Sequence, residues 1–235
     1  VLLLDLDDTI LDNRSGVGAA WDAVAELLAD ARPGVDAARW REGIHRATRW
    51  FWADPARHRT GRLDLLAARR EILGRVLADE GVADAALVER AARFYQEHRD
   101  ATLRLEAGVL EVLAALRRAV PRLGLVTNGA AQVQRAKVER FRLARFFDHV
   151  QIEGEFGAGK PDRVVFEHAV RVLEGRPEET LMVGDNFECD VMGPLDAGLH
   201  AAWIDAQRVG KPPAEAPRAF LRLRALAELP GLIGG

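Results

Sequence analysis

Two carboxylates stand two positions apart near the start of the chain, in Asp5-Leu6-Asp7-Asp8-Thr9. They follow the apolar run Val1-Leu2-Leu3-Leu4. Alternate residues of an extended chain share a side, so Asp5 and Asp7 face the same way. Carboxylates held close together repel, and one of them keeps its proton unless a cation lies between them. Three later segments carry polar groups of complementary kind. Thr127-Asn128-Gly129 offers a hydroxyl, an amide and backbone N–H groups just ahead of a helical pattern, which suits an anion. Lys160-Pro161 brings a cation to another helix start, where Pro161 fits the first helical position. Gly184-Asp185-Asn186 adds a third carboxylate, and Asp190 a fourth.

These segments need a scaffold that brings them together. Short apolar runs at Val1–Leu4, Leu123–Val126, His149–Ile152, Leu181–Val183 and Ala201–Ile204 are bounded by Gly, Asp or Asn and read as buried parallel strands. Helical patterns over Ala130–Arg140, Asp162–Leu173 and Phe187–Ala197 alternate with the later ones. That alternation predicts an α/β fold, a Rossmann-like parallel sheet covered on both faces. Ligands of such sheets bind beyond the carboxyl ends of the strands, where all four polar segments fall.

The stretch from about Asn13 to Leu105 shows helical spacing and no convincing strand, as in Trp21, Val24, Leu27 and Leu28. Breaks at Arg32-Pro33-Gly34, Asp54-Pro55, Thr60-Gly61 and Glu80-Gly81 divide it. It is expected to be an inserted four-helix bundle over residues 13–105, with the catalytic core in residues 1–12 and 106–235. Glu106-Ala107-Gly108 is the expected return hinge, leading into a helix over Val109–Ala119. Pro230 to Gly235 reads as a fraying tail.

Brought to one place, Asp5, Asp7, Asp185 and Asp190 set four negative charges against Lys160. A like-charged pair at ~4 Å costs roughly 4 kcal/mol at an effective dielectric of 20, so the cluster calls for a divalent cation. The donors are all oxygens, with no His or Cys cluster, which favours Mg²⁺ over zinc. Mg²⁺ commonly shares its shell with substrate phosphate, and Thr127, Asn128 and Lys160 can hold the remaining phosphate oxygens.

Composition bounds the alternatives. Of 235 residues, 49% are hydrophobic and 29% charged, an ordinary globular balance, and the net charge of −3 argues against a protein built to bind nucleic acid polymers. No apolar run approaches the ~20 residues that span a bilayer. Cys189 is the one cysteine, so no internal disulfide forms, and a reducing, cytoplasmic setting is the simplest expectation. Cys189 itself is expected to be a buried thiol. The chain opens without Met, inside a strand, which leaves its natural start open.

Together the four segments resemble the motifs of the haloacid dehalogenase superfamily. Asp5-Leu6-Asp7-Asp8-Thr9 is similar to its first motif, Thr127-Asn128-Gly129 to its second, Lys160-Pro161 to its third, and Gly184-Asp185-Asn186 with Asp190 to its fourth. The helical insert sits where this superfamily places a C1-type cap. In wording the motifs are closest to the branch of pyrimidine 5′-nucleotidases and N-acylneuraminate-9-phosphatases. The resemblance implies a Mg²⁺-dependent phosphatase acting on a small phosphorylated metabolite. In it Asp5 is the nucleophile that forms an aspartyl-phosphate, and Asp7 is the general acid and then the base. The side chains of Asp5 and Asp185 and the Asp7 carbonyl ligate Mg²⁺. Thr127 and the Asn128 amide bind the phosphoryl group, and Lys160 neutralises charge. Asp190 orients Lys160 or a metal-bound water, and Thr9 stabilises the turn, with Gly129 and Asn186 in support. The superfamily's dehalogenases lack an acid at the position of Asp7, since a halide leaves without a proton. Phosphosugar mutases share the scaffold, and phospho-signalling receiver modules share the acidic cluster with Thr and Lys, though they are shorter.

In the insert, Trp40, Trp50, Phe51 and Trp52 lie near Arg46, Arg49, Arg57, His58, Arg59 and Arg62. Most of these are expected to be core plus a solvated basic face. The loop Asn13-Arg14-Ser15-Gly16 is the better substrate contact, Asn13 and Arg14 above all, with Gly16 and Gly18 expected to permit hinge motion. The six histidines show no ligand spacing.

Overall fold

The structure is a computed structural model and describes residues 1–206, 216 and 218–233. The chain divides into two compact units, one of Val1–Asp12 with Arg104–Gly235 and one of Asn13–Leu103.

The first unit opens with β1 (Leu2–Leu4), whose three leucines are 0–2% exposed, and with the two-residue β2 (Leu11–Asp12). The second unit is helical: α1 (Val17–Ala31), α2 (Ala37–Ala53), α3 (Pro55–Gly61), α4 (Leu65–Asp79) and α5 (Ala85–Thr102). Four long helices form the expected bundle. The break at Thr60-Gly61 sets off a fifth, short helix that the periodicity does not separate. Within the bundle α1 packs on α2 and α5, and α4 packs on the same two. Trp40, Ile44, Phe51, Ile72 and Leu73 fill its centre at 0–2% exposure. Four of the helices start on an aspartate: the carboxylates of Asp36, Asp54, Asp64 and Asp84 accept from the N–H of Arg39, Arg57, Ala67 and Leu87. Each such cap stabilises its helix by about 1 kcal/mol. The aromatic patch is mostly structural, as expected. Trp40 and Phe51 are buried, and Trp50 lies under the Arg57 and Arg75 guanidinium groups at 4.0 and 4.2 Å.

The first unit resumes with β3 (Arg104–Leu105), antiparallel to β2 and tied to it by an Arg104–Asp12 ion pair of 2.6 Å. Arg104 and Leu105 therefore belong to the sheet-bearing unit, not to the helical stretch. Then follow α6 (Val109–Ala119), β4 (Leu123–Thr127), α7 (Ala131–Arg140), β5 (His149–Ile152), the short α8 (Glu153–Phe156), α9 (Arg163–Val172) and β6 (Leu181–Gly184). A π-helical turn over Phe187–Met192 runs into α10 (Gly193–Asp196), and β7 (His200–Ile204), β8 (Leu221–Leu223) and α11 (Pro230–Ile233) complete the unit. The main sheet is six-stranded and parallel, in the order β5-β4-β1-β6-β7-β8.

Three features of the first unit's later part depart from the sequence expectation. β8 has two exposed residues among its three, so no buried apolar run announces it. The segment beginning at Pro230 forms a helical turn against α6 instead of fraying, and residues 234 and 235 lie outside the described part. The helix expected over Phe187–Ala197 is also not one regular element but the π-helical turn followed by α10. Among the described residues no helix is long and apolar enough to cross a membrane.

Candidate active site

The strand order places β4 and β6 on either side of β1. Asp5, Thr127 and Asp185 thus stand at three adjacent carboxyl ends, where the chain leaves the centre of the sheet in both directions. The loop between β5 and α9 adds Lys160, and the π-helical turn after β6 adds Asp190.

Lys160 is 1% exposed. Its Nζ donates to Asp5 Oδ1 at 2.7 Å and to Asp190 Oδ1 at 2.6 Å. Burial opposes the ammonium charge, but Asp190 and Asp5 outweigh it, and the net effect raises the Lys160 pKa. Asp5 moves the other way from an ordinary carboxylate. Burial pushes it up to about 8, with Lys160 pulling down and Asp190 and Asp185 adding to the rise. Carboxylate oxygens of Asp5, Asp185 and Asp190 come within 4.8 Å of one another. Three carboxylates meet around one lysine with one carboxyl held above its usual range, and the all-oxygen donor chemistry fits a hard divalent cation.

Asp190 is fixed at both oxygens, since Oδ2 also accepts from the Asn186 N–H at 3.0 Å. Asn186 in turn caps the π-helical turn by accepting from the Cys189 N–H at 2.9 Å. Glycine is required at 184, because a Cβ there would collide with the Asp190 carboxylate. Asp185 is held from its backbone, whose carbonyl accepts from Trp203 Nε1 at 2.9 Å.

Asp7 lies apart from this cluster. Both of its oxygens accept from Lys137 Nζ at 2.8 Å, and Oδ2 accepts also from Gln134 Nε2 at 3.0 Å. The charge balance read from the sequence therefore lacked a second cation. Gln134 and Lys137 carry no motif wording. Their signal was the (i, i+3) spacing on the helix that follows Thr127-Asn128-Gly129, which puts both on one face.

Thr127 is 2% exposed, and its Oγ1 accepts from Gln134 Nε2 at 2.7 Å. The Asn128 side chain is engaged by the backbone of Lys160. Nδ2 donates to the Lys160 carbonyl at 2.7 Å, and Oδ1 accepts from the Lys160 N–H at 2.7 Å. This splices the second motif to the third, so any phosphate contact at Asn128 falls to its backbone and not to the side-chain amide. Gly129 donates its N–H to Glu153 Oε2 at 2.8 Å, a buried brace that the sequence did not point out.

Several expectations require correction. The Thr9 hydroxyl is buried with no hydrogen-bond partner among the described residues, so whatever it does for the turn is packing. Asp8, at φ 60°, makes the turn instead, with its N–H on the Leu11 carbonyl at 2.6 Å. Cys189 is only half-buried, in the π-helical turn, with its thiol on the Lys160 carbonyl at 3.5 Å. Gly16 is closely packed, since an added Cβ would strike Thr102 Oγ1 and lie 2.8 Å from Arg99 Nη1. Gly18 sits inside α1. Asn13 and Arg14 belong to the helical unit. There Asn13 Oδ1 accepts from the buried Arg99 at 2.7 Å, and the Arg14 carbonyl accepts from the Val17 N–H at 3.1 Å.

A parallel α/β sheet with an aspartate after its first strand, a helical insertion behind that strand and a buried Lys–Asp cluster at the strand ends define a class of hydrolases. Residues 1–198 match the family model for haloacid dehalogenase-like hydrolases, and the chain belongs to that family. A phosphoserine phosphatase of Thermus thermophilus is 37% identical over 227 residues, covering 87% of this chain and 88% of that one. An N-acylneuraminate-9-phosphatase of Rattus norvegicus is 34% identical over 154 residues, 65% of this chain and 61% of that protein. Among solved structures, the putative HAD-hydrolase YfnB of Bacillus subtilis, described as bound to magnesium, superposes with a TM-score of 0.68 at 26% identity. That match covers 100% of this chain and 98% of the other.

Proposed function

We propose that this chain is a Mg²⁺-dependent phosphomonoesterase of small phosphorylated metabolites, working through an aspartyl-phosphate on Asp5. It is a phosphatase of the haloacid dehalogenase family, a phosphoric monoester hydrolase. The observation that carries the reading is the buried Asp5 carboxyl held between Lys160 and the Asp185–Asp190 pair. Similarity to two phosphatases supports it. Asp7 supports it further, because an ester oxygen leaves readily only with a proton and a halide needs none.

The steps follow from the side chains. Asp5 attacks phosphorus while Asp7 gives its proton to the departing ester oxygen. Lys160 balances the charge of Asp5 and of the incoming phosphate. The Thr127 hydroxyl and the backbone of Asn128 hold non-bridging oxygens. Asp7, now a carboxylate, takes the proton of the water that attacks the aspartyl-phosphate and frees Asp5. Asp5, Asp185 and the backbone carbonyl of Asp7 would hold Mg²⁺, which supplies charge neutralisation for the phosphate oxygens. Asp190 acts through Lys160.

The test is phosphate release from a panel of 5′-nucleotides, sugar phosphates, phosphoserine and a sialic acid phosphate, with Mg²⁺ and with a chelator. Release from one class, lost with the chelator, is expected. No release from any of them would sink the proposal.

A pH dependence follows from the raised Asp5. In the metal-free protein the folded state binds a proton between about 4 and 8 that the unfolded chain releases. The contribution of this group to stability therefore falls as pH rises through that window. Mg²⁺ binding must expel the same proton. Titration calorimetry at pH 6.5 in two buffers of different ionisation heat should show about one proton released per Mg²⁺, and none at pH 9. Equal release at both pH values would refute the assignment of Asp5 as a ligand.

A further inference from the structure

We propose that Lys137, with Gln134, is the positioning pair for leaving-group protonation, holding Asp7 where it meets the ester oxygen and turning the Thr127 hydroxyl toward phosphate. This rests on the reading of Asp7 as the proton donor.

Three observations carry it. The Lys137 ammonium lies 2.8 Å from each Asp7 oxygen, a symmetric hold that fixes the carboxylate plane and not only its distance. Its side chain is 13% exposed and that of Asp7 26%, so the pair is partly shielded from solvent. Gln134, one turn earlier on α7 and 2% exposed, shares its amide hydrogens between Asp7 Oδ2 and Thr127 Oγ1. An amide nitrogen can only donate, so Thr127 must accept there. Its own O–H is left to point elsewhere, and among the described residues its acceptor is the Asn128 carbonyl at a long 3.4 Å. A phosphate oxygen is the stronger acceptor for that proton. One helix face thus sets the two side chains that handle the proton and the phosphate.

Lys137 neither gives nor takes a proton in this scheme; as a cation beside Asp7 it favours the carboxylate, so it eases loss of the Asp7 proton to the ester oxygen and stabilises the anion left behind. As the P–O bond breaks, its electron pair goes to the ester oxygen, the Asp7 proton follows, and phosphorus bonds to Asp5. Lys137 keeps the resulting Asp7 carboxylate in place for the proton of the attacking water.

A residue that acts through Asp7 should matter most where protonation matters most. The probes are p-nitrophenyl phosphate, whose phenolate leaves unaided, and glycerol 2-phosphate, whose alkoxide does not. General acid catalysis contributes roughly 10²–10⁴-fold. Lys137→Met and Lys137→Gln should each lower kcat on glycerol 2-phosphate at least about tenfold more than on p-nitrophenyl phosphate, within that range and with KM little changed. Lys137→Arg should recover most of the difference, and Asp7→Asn should show the same selectivity. If Asp7→Asn is selective and both Lys137 variants lose the two esters equally, or lose neither, the role of Lys137 is overturned. If Asp7→Asn itself is not selective, the assignment of Asp7 fails and that of Lys137 with it.

Discussion

Asp5→Asn should abolish phosphate release, by at least about 1,000-fold in kcat, while leaving the metal-free fold as stable as before or more stable. The loss follows from the proposed chemistry. Asparagine cannot form an acyl-phosphate bond under these conditions, and removing a nucleophile typically leaves only the residual effect of binding and electrostatics. The stability half follows from charge. Without metal, Asp5, Asp185 and Asp190 crowd one lysine, and burial already holds Asp5 up to about 8. Below about pH 8 a neutral amide stands in for a carboxyl that already holds its proton, and above it the amide removes one like charge. In both cases it keeps a hydrogen-bond acceptor for Lys160 Nζ. Lys160 remains paired with Asp190 at 2.6 Å. Active sites often hold such unfavourable arrangements at a cost to stability. Thermal melting and phosphate assays on the same preparation would check both halves. Retained activity would remove Asp5 as nucleophile. A melt several degrees lower in the metal-free variant would mean that Asp5 is needed for the fold instead.

Much of this site was legible because its residues stand at strand ends, where type and position coincide. β1, β4 and β6 are short and almost wholly buried, so their apolar runs show in the sequence, and the first polar residue after each run is in the site. Lys160 was legible for a similar reason, standing near a helix start, although α9 begins at Arg163, so Pro161 precedes the helix and is not its first residue. Hidden residues were those that act from inside a helix. Gln134 and Lys137 look like any polar helix positions in Gln132–Lys137, and only folding reveals that they reach back across the chain to Asp7. The engagement of Asn128 was illegible too, since it depends on the Lys160 backbone more than 30 residues away. In the helical unit the pattern gave the helices, while its finer partition depended on Asp54 and Asp64. Both cap a helix start, and both could be read equally well as surface charge. β8 was missed because a strand at the edge of the sheet with exposed side chains carries almost no hydrophobic signal.

Lys160→Met is the variant expected to damage the fold most. Methionine keeps the length and apolar stem of the side chain, so little packing is lost, and the effect isolates the charge. Lys160 is 1% exposed and sits between two carboxylates at 2.6 and 2.7 Å. Removing one partner of a buried ion pair strands the other charge and costs about 3–5 kcal/mol. For a chain of this size 1 kcal/mol moves Tm by roughly 2–4 °C, so a drop of about 6–20 °C is expected without metal. The loss should be partly reversible by a second change. In Lys160→Met with Asp190→Asn, one of the stranded carboxylates becomes a neutral amide, and Tm should recover by several degrees. Activity should not return, because in the proposed mechanism the ammonium also balances the charge of Asp5 and phosphate. That split distinguishes two roles in one side chain. If the double variant regained activity along with stability, Lys160 would be a structural counter-ion alone. If Lys160→Met melted like the wild type, the buried pairing would contribute nothing to the fold.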